Sequence, residues 1–135
     1  NYQKDYAEAI EYYQRALDID SDYADAQKNL AVTYRDAGRY AGEQQNDLQQ
    51  ALQYLQQAYQ LNPTDPETLR LLGVTYGISG DNQRAIQYFE QAVELQPDNA
   101  GLLYILGTAY YNAGQPERGA ELQQRAKAID PGVGQ

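Results

Sequence analysis

Five residues of the stretch 66–99 return 34 positions later in the same order: Gly73, Tyr76, Gly80, Ala92 and Pro97 become Gly107, Tyr110, Gly114, Ala126 and Pro131. A fixed period of this length means that the chain repeats one supersecondary unit, each copy burying an apolar face against the next. The nature of the unit follows from the stripes inside it. Leu69, Leu72, Gly73 and Tyr76 fall at i, i+3, i+4 and i+7, which places them on one stripe of a helix. Ala85, Phe89 and Ala92, flanked by Ile86 and Val93, make a second stripe, and Gly80, Asp81 and Asn82 separate the two as a C-cap and turn. The unit is a helical hairpin.

Taken in order, the 135 residues divide into four parts. Residues 1–20 carry only the second stripe, in Ala9, Tyr13 and Ala16, and read as the second helix of an incomplete repeat. Such a helix leaves apolar surface uncovered, so Tyr6, Ile10, Tyr13 and Leu17 are expected to be covered by another chain or by a preceding helix. Residues 21–65 form an expanded repeat. Ser21 and Asp22 are placed to cap its first helix, Leu30, Ala31 and Tyr34 reproduce the first stripe, and Gly38 is placed to end it. Ala16 to Ala58 and Tyr34 to Tyr76 are both 42 apart, so eight residues are inserted, near 39–47 at the hairpin tip. That tip is expected to be a mobile surface segment, with some added helix or a partner-specific epitope as further readings. Residues 66–99 are the regular repeat, opened by Asp65 as cap and Pro66 at the first helical position. Residues 100–135 are a terminal repeat, in which Gln123 and Lys127 replace Phe89 and Val93 and give a polar capping helix, followed by a frayed tail, GVGQ. The chain has no Met, even at its first position, and reads as a piece of a longer protein.

Composition narrows the chemistry. Nineteen acidic and ten basic residues give a net charge of −9, which repels nucleic-acid phosphates and anionic lipid heads, so neither nucleic acid nor a membrane surface is an expected partner. Without Cys or His there is no thiolate nucleophile, no imidazole base and no zinc or haem ligand of the usual kinds, and no cofactor is expected. Asp18, Asp20 and Asp22 alternate like the start of a calcium loop, but Tyr23 and Asn29 stand where that loop needs Gly and Glu, and they read as acidic caps on a solvated turn. Glu90 and Glu94, one turn apart on a solvated face, lack a pocket, so no enzymatic activity is expected. No apolar run spans a bilayer. The absence of cysteine leaves the compartment open, with the cytoplasm preferred to the periplasm.

The period, the small residues Ala31, Gly73 and Gly107, the tyrosines Tyr34, Tyr76 and Tyr110, and the closing prolines Pro63, Pro97 and Pro131 resemble the tetratricopeptide-repeat family over essentially the whole chain. Gln27, Ser21 and Gly119 depart from its pattern. The resemblance implies an all-α solenoid, a right-handed superhelix of antiparallel helix pairs, acting as a protein-interaction scaffold whose concave groove is lined by the first helix of each hairpin. Lys28, Val32, Arg35, Arg70, Leu71, Val74, Ile78, Tyr104, Ile105, Thr108 and Tyr111 are the groove residues it places here. One subclass of the family clamps a carboxylate with Lys, Asn and Arg. Lys28 and Asn29 fit that clamp, whereas Leu71, Val74, Gly101, Ile105 and Thr108 do not, so the expected ligand is an apolar peptide or helix of a protein partner. The alternative is a self-assembly module in which residues 1–20 dock into the groove of another copy.

Overall fold

A computed structural model describes residues 2–135. Seven helices follow in order: α1 (Tyr2–Ile19), α2 (Ala24–Glu43), α3 (Leu48–Leu61), α4 (Pro66–Ile78), α5 (Asn82–Leu95), α6 (Ala100–Asn112) and α7 (Pro116–Ile129). Among the described residues there is no strand, as the paired stripes predict, and no helix is long and apolar enough to cross a membrane. The chain divides into two compact units, Asn1–Thr68 and Leu69–Gln135.

Polar side chains start most of these helices. Asp47, Asp81 and Asn99 sit at the N-caps of α3, α5 and α6, accepting hydrogen bonds from the backbone N–H groups of Gln50, Arg84 and Leu102, donors the helix itself leaves unpaired. Asp65 does the same ahead of Pro66: its carboxylate accepts from the Glu67 N–H at 3.2 Å and the Thr68 hydroxyl at 2.9 Å. Helix α2 differs from expectation. Neither Ser21 nor Asp22 caps it; Tyr23 occupies the N-cap without a side-chain bond. The Asp20 carboxylate instead accepts from the Asp22 N–H at 3.1 Å, a local turn that competes with capping.

In the first unit Leu30, Tyr34 and Ala58 form the core, with Ile10, Tyr13, Leu17 and Tyr54 packed against it. Three of the α1 side chains expected to await an outside surface are thus partly covered by the neighbouring helices. The fourth, Tyr6, is half-buried with its ring 5.9 Å from that of Tyr40. The opposite face of α1 is the open one, with Tyr12 and Ile19 exposed at 69 and 89%, whereas Tyr2, one turn before Tyr6, has its ring 5.8 Å from that of Tyr40.

The extra length of this unit is mostly helix rather than loop. Helix α2 has 20 residues against 13 in α4, and Ala41, within the expected tip, is buried. Gly38 does not end the helix but admits α3: a Cβ there would lie 2.7 Å from Cγ of Leu55. Since Leu55 stands 34 before Phe89, which meets Gly73 in the next hairpin, the crossing point has moved from Ala31 two turns along, to Gly38.

The second unit is built around Ala85, Ile86, Phe89, Leu103, Leu106, Ala109, Leu122 and Ala126, all buried. Burying a side chain such as Phe89 or Leu103 contributes roughly 1.5–3 kcal/mol. Two sequence expectations are corrected here. Gln123 does not face outward: it lies across Gly107, and its amide donates to Oγ1 of Thr108 at 3.1 Å. Gly119, a departure from the family pattern, is required, because a Cβ there would lie 2.7 Å from the Gly107 carbonyl oxygen. The tail is not frayed either. Residues 131–134 turn back, Val133 packs against the core, and Gly134, at φ +81°, lies against the ring of Tyr104.

Candidate functional site

The second unit contains a cavity of about 230 Å³ between α4, α5 and α6. Its lining follows from the hairpin geometry. Gly73 and Phe89 bring α4 and α5 together, and Ala85 and Ala109 keep side chains short beside them, so these four buried residues make the floor. Half-buried Val74, Gly77, Ile105, Thr108 and Asn82 form the walls, and exposed Ile78 and Asn112 the rim. Four residues named from sequence, Val74, Ile78, Ile105 and Thr108, therefore come together in one place.

Two polar groups of the cavity wall are already engaged. Thr108 donates its hydroxyl to the Tyr104 carbonyl at 3.2 Å while accepting from Gln123. The Asn82 amide donates to the Asn112 carbonyl at 3.0 Å, tying the ends of the two hairpins. What the hollow presents is apolar surface without charge.

The remaining sequence-named residues lie elsewhere. Tyr104 is half-buried beneath the C-terminal turn, and Tyr111, 43% exposed, lies with its ring against Gly119. Leu71 is buried, and Arg70 is half-buried. Lys28, Val32 and Arg35 belong to the first unit, where Lys28 is exposed and Val32 half-buried. Arg35 is held by acids, its guanidinium donating to Asp65 at 3.0 Å and Asp36 at 3.3 Å. Burial lowers its pKa, but the Asp65 and Asp36 hydrogen bonds and charges more than offset that, so it is raised. An arginine so engaged is a poor carboxylate receptor.

Sequence reasoning missed a second repeated feature. Arg84 lies over the Tyr76 ring at 5.6 Å and Arg118 over the Tyr110 ring at 5.8 Å, both pairs spaced alike and 34 residues apart. The recurrence of the arginine was the available signal. The Tyr110 hydroxyl donates to Glu90; this bond, then burial, raises the Tyr110 pKa. Glu90, weighed from sequence as an acid–base residue, is thus part of an exposed contact between α5 and α6. A further hollow, in the first unit, is bordered largely by glutamines of α3 with Gln14 and Tyr34, whose side chains share a 2.9 Å hydrogen bond.

Comparison with known proteins bears on the fold. Yeast Tom70 is similar at a TM-score of 0.76 with 18% identity, over 96% of this chain and 26% of that one. A crystal structure of MamA gives 0.70 at 20% identity, over 95% of this chain and 90% of that one. The Cut9–Hcn1 hetero-tetramer of the APC/C gives 0.64 at 22%, over 93% and 30%. No curated protein matches the chain. Family models described as tetratricopeptide repeat match residues 1–64 and 71–133, close to the whole sequence. The chain belongs to the tetratricopeptide-repeat family.

Proposed function

We propose that the chain is a protein-interaction module that binds an apolar segment of a protein partner on the α4–α6 face of its second unit, by binding rather than catalysis. The observation that carries this reading is the cavity where Val74, Ile78 and Ile105 meet without a charged neighbour in its lining. Apolar surface buried there at about 25 cal/mol per Å² gives affinity once ordering costs are met. Because the chain carries a net charge of −9, a partner with basic residues beside its apolar stripe associates faster, and salt slows that step more than it weakens the complex. The test is a peptide-library selection on the protein and on its Val74→Glu variant. Apolar peptides lost on the variant support the reading. Acidic C-termini that need Lys28 and ignore Val74 overturn it in favour of a carboxylate clamp.

A second reading, self-assembly, is favoured by one observation, the exposed Tyr12 and Ile19 on the outer face of α1.

A further inference from the structure

We infer that the α4–α6 cavity receives one aliphatic side chain of about leucine size from the partner, and that Gly77 is the residue that makes room for it. This rests on the groove reading above and adds the chemistry of the anchor.

The glycines of the chain separate by need. Gly38, Gly73, Gly107 and Gly119 each stand where a Cβ would lie within 2.5 to 2.7 Å of a neighbour, and Gly80, Gly114 and Gly134 have positive φ. Gly77, like its counterpart Gly42 in the first hairpin, has neither reason. It is helical, in the last turn of α4, and a Cβ there would meet only the Ala85 Cβ at 3.7 Å, an ordinary contact. Glycine in a helix is less favourable than alanine, so the fold gains nothing from it.

The repeat itself shows what else fits at that place. Four residues after the crossing glycines Gly38, Gly73 and Gly107 stand Gly42, Gly77 and Tyr111. In the last hairpin the Tyr111 ring covers Gly119. The first and middle hairpins both lack a side chain there, and of their two glycines Gly77 lines this cavity.

Size and polarity then select the occupant. At about 230 Å³ the space is below the range of roughly 300–1,000 Å³ typical of drug-sized ligands. It exceeds the cavity of about 150 Å³ that takes up a benzene molecule. A single side chain fits. The Thr108 hydroxyl and Asn82 amide N–H of the wall are already hydrogen-bonded within the protein and Asn112 stands on the exposed rim, so a polar side chain seated among Val74, Phe89 and Ile105 loses water without an equal return.

The experiment titrates the whole chain with N-acetyl-leucine methylamide and its near-isostere N-acetyl-asparagine methylamide, read by amide chemical shifts. The expected result is saturable shifts at Val74, Gly77 and Ile105 with the leucine probe, and at least tenfold weaker binding of the asparagine probe. Gly77→Val should lose the leucine probe at least tenfold while melting no lower than the parent, and Gly77→Ala serves as the control that the helix tolerates a Cβ. Equal response to both probes, no response to either, or undiminished binding by Gly77→Val overturns the assignment. Selected partner peptides that need Val74 but survive Gly77→Val defeat this cavity alone. Peptides indifferent to Val74 defeat the groove reading on which it rests.

Discussion

A Cβ on Gly73 would lie 2.5 Å from the Phe89 ring, and Phe89 is 3% exposed at the centre of its core, so neither partner can move aside cheaply. Gly73→Leu is therefore expected to overpack the hairpin and cost about 1–3 kcal/mol, measured by denaturant unfolding. An unchanged midpoint would show that the hairpin is looser than drawn. Gly73 and Gly107 were legible from sequence because they recur at the repeat period on an apolar stripe. Gly38 was not, since a glycine that admits a neighbouring helix and one that ends a helix look alike in one dimension. Only packing against Leu55 separates them. Gln123 misled for a similar reason. Its polarity argued for solvent, while Thr108, placed by a different helix, offered it a buried-side partner.

Among the elements, α1 and α2 carry what the periodicity left open. The count of inserted residues is readable from the slipped spacing, but their conformation depends on α3, against which Gly38, Ala41 and Gly42 allow α2 to run on. The C-terminal turn is the same kind of case. Nothing in GVGQ predicts order, which comes from Val133 meeting the core and Gly134 meeting Tyr104. Helix α1 has one face on the core and, on the other, a row of Tyr12 and Ile19 in solvent. If that row is an association surface, light scattering over a dilution series should show mass falling with concentration, and Tyr12→Glu with Ile19→Glu should leave a monomer. A mass independent of concentration removes the self-assembly reading.

At the largest scale, the repeat period and its stripes were enough to read the seven helices of the described residues, because each hairpin's stripes report its own packing. The candidate site was legible only in part. Val74, Ile78, Ile105 and Thr108 came from the family resemblance, which places a groove on successive first helices, whereas Gly77, Phe89, Ala85 and Asn82 enter the cavity through the hairpin crossing, which no spacing displays. The most direct measurement of the central claim is amide shift mapping of the full chain with a peptide recovered by selection. Shifts concentrated at Val74, Gly77, Ile78, Ile105 and Thr108 are predicted, with Lys28 and Arg35 unmoved. Shifts centred on Lys28 and Arg35, with the α4–α6 cavity silent, would contradict it.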